Sequence, residues 1–158
     1  MVRVLGIDPG SAATGWADIS ISGNRYTLHD WGVIRPRGPN RPARLADLRS
    51  KLEDILLRTN AEEAAVETTF SGRNPKSAIA LAEARGTILS VLGGGTLEVA
   101  GYSPAEVKKS IVGNGRAEKR QVVFMVKQLL GLEENPAADA ADAMAVALTH
   151  LHLRRRPT

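Results

Sequence analysis

The sequence predicts an α/β domain: a mixed β-sheet with helices on its faces. Two observations predict it. Three strand-like stretches open the chain and are joined by turn signals, so they form an antiparallel meander. After them, strand-like and helix-like periodicities alternate, which calls for parallel neighbours and covering helices. A third observation bounds the size. The chain has 158 residues, a single-domain length that buries roughly 70% of its unfolded surface without metal or disulfide.

The elements follow in order. Val4, Leu5 and Ile7 are a short apolar run that suits a buried strand, and Pro9-Gly10 ends it. Asp8 is thereby placed at the strand's last position. Thr14 to Ile21 is a second strand, Ser22-Gly23-Asn24 a hairpin turn, and Arg25 to Ile34 a third strand. Pro36 to Pro42 reads as a connector. Ala43 to Thr59 is a helix, with Leu45, Leu48, Leu52, Ile55 and Leu56 at helical spacing. Glu63 to Glu67 is a fourth strand, again ending on a carboxylate, and Thr68 to Pro75 is a polar loop. Lys76 to Leu92 is a long helix with apolar residues on more than one face. One face covers the sheet; a second would suit another copy of the chain, unless its alanines are only good helix formers. Gly93-Gly94-Gly95 stops this helix, and Leu97 to Tyr102 is a fifth strand. Ser103, Pro104 and Glu106 form a helix start, as N-cap, N1 and N3. Gly113-Asn114-Gly115 is a turn. Glu118 to Leu130 is helical, with Phe124 expected in the core among Val122, Val123, Met125 and Val126. Asn135-Pro136 breaks the chain before a last helix, Ala138 to Leu151. The expected organisation is one domain over residues 1–152 and a basic tail over 153–158.

Composition narrows the function. There are no cysteines, which excludes disulfides and thiolate metal sites. Metal ligands must be oxygens or His29, His150 and His152. No signal peptide and no membrane-length apolar run is present, so a soluble, cytoplasmic protein is expected. The formal net charge is +4 and the pI about 9.8. Lys108, Lys109, Arg116, Lys119 and Arg120 cluster in sequence against only Glu106 and Glu118, and the tail adds Arg154, Arg155 and Arg156. Clustered cations beside carboxylates suggest an anionic polymer as substrate.

The carboxylates form the second half of that pattern. Asp8 and Glu67 end two strands, and Asp139 and Asp142 lie three apart on one helix face. The alanines around them, Ala140, Ala141, Ala143 and Ala145, let that helix approach a sheet closely. Each acid alone has a plain structural reading: Asp8 could brace its turn, Asp139 could cap its helix. If all four converge, each pair at 4 Å costs about 4 kcal/mol at an effective dielectric near 20. Such a centre needs cations. Hard oxygen donors select Mg²⁺ or Mn²⁺, and two such ions are the usual apparatus for displacement at phosphate.

The motifs resemble one family closely. Gly6-Ile7-Asp8-Pro9-Gly10-Ser11, Glu67-Thr68-Thr69-Phe70, Val107 to Gly115, Ala117-Glu118-Lys119 and Ala138 to Ala143 are similar, in this order and spacing, to the RuvC Holliday junction resolvases of the RNase H-like superfamily. The resemblance covers nearly the whole chain. It implies a five-stranded sheet of order 3-2-1-4-5 flanked by helices, and a homodimer that makes paired metal-dependent nicks in four-way junction DNA. It also implies RuvA and RuvB branch-migration proteins as partners, and Mg²⁺ as cofactor, two ions per site, with Mn²⁺ able to substitute. Carried over by residue, Asp8, Glu67, Asp139 and Asp142 are the catalytic and metal-binding acids. Asp8 would bridge both metals, with Glu67 completing one site and Asp139 and Asp142 the other. Lys108 and Lys119 match DNA-binding lysines, and Phe70 matches an aromatic at the junction centre. Arg73, Lys76, Lys109, Asn114 and Arg116 complete the expected DNA-binding set. The opening segment also resembles the first phosphate segment of actin-like and sugar-kinase ATPases, which need a second domain that this chain lacks.

Overall fold

The computed structural model describes residues 1–69 and 74–154. Its strands are β1 (Val2–Asp8), β2 (Thr14–Ser22), β3 (Arg25–Ile34), β4 (Glu63–Glu67) and β5 (Glu98–Tyr102). Its helices are α1 (Arg41–Arg58), α2 (Pro75–Gly93), α3 (Pro104–Val112), α4 (Lys119–Leu130) and α5 (Ala138–Arg154). The sheet has the order β3-β2-β1-β4-β5. β1, β2 and β3 pair antiparallel, while β4 joins β1, and β5 joins β4, in parallel. This is the expected mixed sheet, and it puts Asp8 and Glu67 at the same end of neighbouring strands.

Strand alternation sorts the core into two layers. Val4, Ala17 and Ile19 face α5, with α3 and α4 packed behind it through Val107, Ile111 and Val126. Leu5, Ile7 and Trp16 face the other way, onto Leu48 and Leu52 of α1 and Ile88 of α2. α5 lies across the centre of the sheet, and it approaches closely because two glycines lie beneath it. A Cβ on Gly6 would meet the Ala143 carbonyl and come within 2.7 Å of the Ala147 Cβ; one on Gly15 would collide with the Asp139 carbonyl. At both places main chain rests on main chain.

The caps explain where the elements begin. Ser103 and Glu106 form the reciprocal box, with the Glu106 amide donating to Ser103 Oγ at 3.2 Å and the Ser103 amide to Glu106 Oε2 at 2.7 Å. Gly113 closes α3 in the left-handed region, at φ 87°. α1 starts at Arg41, two residues earlier than the sequence suggested. Asn40 caps it by accepting the Ala43 amide at 2.9 Å, and Pro42, read as connector, sits in the first turn, where a proline costs no hydrogen bond. Asn74 and Pro75 repeat the device at α2.

Two expectations change. Phe124 is not core: it is 59% exposed. Val122 and Val126 take the inward face of α4, and a residue two positions from each points the other way. α5 also runs on to Arg154, two residues into the expected tail. Arg154 donates to Glu63 Oε1 at 2.6 Å, while Glu63 Oε2 meets His150 Nε2 at 2.5 Å. Tyr102 Oη meets His150 Nδ1 at 2.7 Å. The far end of α5 is thus tied to β4 and β5. On α2, Ala84, Ile88 and Leu92 are buried but Ile79 is 61% exposed, and a Cβ on Gly86 would touch nothing. No helix among the described residues is long and apolar enough to cross a membrane.

Candidate active site

The four acids meet at the carboxyl ends of β1 and β4. Asp8 is the last residue of β1 and Glu67 the last of β4. α5, lowered onto Gly6 and Gly15, brings Asp139 and Asp142 within electrostatic reach of Asp8, and Asp142 within reach of Glu67. Asp139 lies inside the first turn of α5 rather than at a cap, where the helix dipole favours a negative charge.

The electrostatics record this convergence. Burial, then Glu67, Asp142 and Asp139, push the Asp8 carboxyl up to about 8, with Lys119 opposing. Burial also raises the Glu67 carboxyl, and Asp142 adds to the rise. Thr69 Oγ1, Lys119 and Lys108 pull the other way, Thr69 by donating a 2.8 Å hydrogen bond to Glu67 Oε1. Asp142 accepts from Lys119 Nζ at 2.9 Å, and that bond holds the ammonium in its charged form.

Donor chemistry fits a hard divalent cation: every group is a carboxylate, and their mutual repulsion is what a cation relieves. As placed, no three His, Asp or Glu side chains among the described residues stand close enough to hold a metal ion. Asp142 is turned to Lys119 instead.

The expected DNA-binding residues separate into groups. Lys108 and Lys119 line one small cleft, of about 200 Å³, with Glu67 and Asp142. Its apolar wall is Val107, Val122 and Ala145. Lys109 stands exposed on α3, outside this cleft, Arg116 is exposed in the turn between α3 and α4, and Lys76 is exposed in the first turn of α2. Asn114 Oδ1 accepts the Arg116 amide at 2.9 Å and shapes the turn ahead of α4. Phe70 and Arg73 lie outside the described residues. Sequence reasoning missed Thr69 as the partner of Glu67. Its spacing two residues past a strand-end acid was the available signal, since both side chains can turn to the same side.

Comparison with known proteins places this geometry. A family model described as "Crossover junction endodeoxyribonuclease RuvC" matches residues 4–150. The protein of that name from Oleidesulfovibrio alaskensis is 44% identical over 154 residues, 98% of this chain and 93% of the relative. Its namesake from Alkalilimnicola ehrlichii is 46% identical over 153 residues, 96% and 92% of the two chains. The solved structure "T. thermophilus RuvC in complex with Holliday junction substrate" superposes with a TM-score of 0.91 at 31% identity, covering 98% of this chain and 96% of that one. With its strand order, its strand-end acids and the helix that completes them, the chain belongs to the RuvC family of crossover junction endodeoxyribonucleases.

Proposed function

We propose that the protein resolves four-way DNA junctions by paired symmetric nicks, as a homodimer acting in the cytoplasm in homologous recombination and repair. The observation that carries the reading is the meeting of four carboxylates with two lysines at one end of the sheet. Asp8, Glu67, Asp139 and Asp142 would hold two Mg²⁺ ions, with Mn²⁺ as substitute. Such ions supply charge stabilisation at the scissile phosphate and a nucleophile at neutral pH. The rest is done by the chain. Thr69 fixes the Glu67 carboxylate by its hydrogen bond. Lys119 holds Asp142 in place and carries a positive charge to where a phosphate must sit. Lys108 stands beside it on the same cleft. Lys76, Lys109, Asn114 and Arg116 extend the grip along the backbone, where cations position the duplex without reading sequence. Phe70 belongs to the junction centre in this reading, stacking on a base released at the crossover, and Arg73 is a further DNA contact. RuvA and RuvB are the partners that deliver the junction.

The deciding experiment offers the purified protein a synthetic four-way junction beside duplex, single-strand and RNA–DNA hybrid controls, with Mg²⁺ or Mn²⁺. Paired nicks in the junction alone are expected. Equal cutting of plain duplex would reduce the reading to an unselective nuclease.

A further inference from the structure

A second basic cleft lies on the opposite face of the sheet from Lys108 and Lys119. It has a volume of about 820 Å³ and is lined by Arg41, Arg44, Lys76 and the hydroxyl-bearing Ser11 and Ser77. Its place in the fold ties it to the carboxylates from both sides. Ser11 belongs to the turn that leaves Asp8, and Lys76 and Ser77 open the helix that follows Glu67. α1 and α2 pack on the face carrying Leu5 and Ile7, whereas α5 and its neighbours pack on the face carrying Val4. By strand alternation Asp8 and Glu67 point to the α5 face with Lys108 and Lys119, and the second cleft opens at the same end of the sheet on the other face.

The cleft's charges are unevenly used. Arg41 is a strut: Nη1 donates to the Ser11 carbonyl at 3.3 Å, Nη2 to the Ala80 carbonyl, and Nε stands 3.5 Å from Glu83 Oε1. Among the described residues Glu83 is the one acid lining the cleft, and Arg41 takes it. The Arg44 guanidinium donates to the Gly38 carbonyl at 3.3 Å. Neither Arg44 nor Lys76 has a carboxylate partner among the described residues. The Ser77 amide is already taken by Asn74, so recognition falls to side chains. Two unneutralised cations, one a guanidinium suited to a bidentate grip on phosphate, and two hydroxyls share one open cavity.

We propose that this cleft binds a backbone phosphate of the junction DNA, so that the strand crossing the carboxylates is gripped on both faces of the sheet. Arg44 and Lys76 make the ionic contacts, Ser11 and Ser77 donate to the phosphate oxygens, and Arg41 positions the Ser11 turn against α2. The inference rests on the reading of the protein as a junction nuclease.

The test measures binding of the full-length protein to a four-way junction across a salt series, in metal-free buffer so that no strand is cut. Arg44→Gln should lower the slope of log affinity against log salt by about 0.9, and weaken binding about eightfold at 0.1 M salt, the size of one lost phosphate contact. Ser77→Glu separates footprint from fold. Glu at N3 behind the Asn74 cap completes a capping box and suits the helix dipole, so Tm should hold or rise. In the cleft the same carboxylate repels phosphate, so affinity should fall at least as far as in Arg44→Gln. A wild-type slope in Arg44→Gln overturns the proposal; if that variant does not fold, a wild-type slope in Ser77→Glu overturns it. Wild-type protein that neither binds nor cuts four-way junctions would instead overturn the functional reading beneath it.

Discussion

At pH 7 the Asp8 carboxyl, raised to about 8, keeps a proton in the folded protein that the unfolded chain has already released. The stability linked to this group is therefore full below the unfolded value near 3.8 and is lost as pH rises through about 8. Asp8→Asn cannot ionise. In metal-free buffer it is expected to melt above wild type at pH 8 to 9 and close to wild type at pH 4, read from thermal melts over a pH series. A constant difference across the series would refute the cause. Adding Mg²⁺ should reverse the order: at 100 times the dissociation constant each bound ion adds about 2.7 kcal/mol, and Asp8→Asn should lose that gain together with cleavage. The positions of Asp8 and Glu67 were legible in the sequence because a strand followed by Pro-Gly or by a polar loop fixes where its last side chain emerges, and those of Asp139 and Asp142 because residues three apart share a helix face. Phe124 was not. Its apolar neighbours suggested burial, yet a helix can bury only one stripe, and Val122 and Val126 had taken it. Phe124→Ser should change stability by less than about 0.5 kcal/mol, where a core Phe would cost about 3–5 kcal/mol on truncation. Chemical denaturation distinguishes the two.

At the scale of elements, the site depends on how low α5 lies. The alanines of α5 were readable as a licence for close approach, but the glycines that receive it were not. Gly6 and Gly15 read as ordinary strand residues until the Ala143 and Asp139 carbonyls are seen against them. Gly6→Ala should force the helix outward. Overpacking of this kind costs about 1–3 kcal/mol. The loss of cleavage should be larger than the loss of stability explains, since a shift of about 1 Å in positioned groups can cost a hundredfold in rate. Single-turnover cutting measured well below Tm would show it; wild-type rates in a destabilised variant would mean that α5 has room to spare. The helix starts divide in the same way. The Ser103–Glu106 box was legible because both halves are side chains at fixed spacing. Pro42 and Pro75 looked like breakers because the asparagine caps ahead of them decide that each falls in a first turn.

For the whole molecule, the sheet order could be reached only through the resemblance, because strand periodicity carries no record of which strand lies beside which. The second apolar face of α2 was legible as a surplus, and the exposed Ile79 beside the open flank of Gly86 marks where it lies. If that face joins two copies, Gly86→Arg should fold normally, since arginine favours helix over glycine by roughly 0.8 kcal/mol. Its mass by sedimentation should nevertheless halve, and its cuts in a junction should become single and unpaired. A dimer of undiminished affinity would move the interface elsewhere. The contact of α5 with the two glycines has a further consequence for how activity ends on heating. Side chains loosen by sampling new rotamers, but two backbones in contact have none to sample. The gauge that spaces the carboxylates therefore holds its setting while the surrounding packing softens, and it fails only when the helix lifts away. Catalysis in such a centre should stop as a step near the melting temperature rather than fade along a slope.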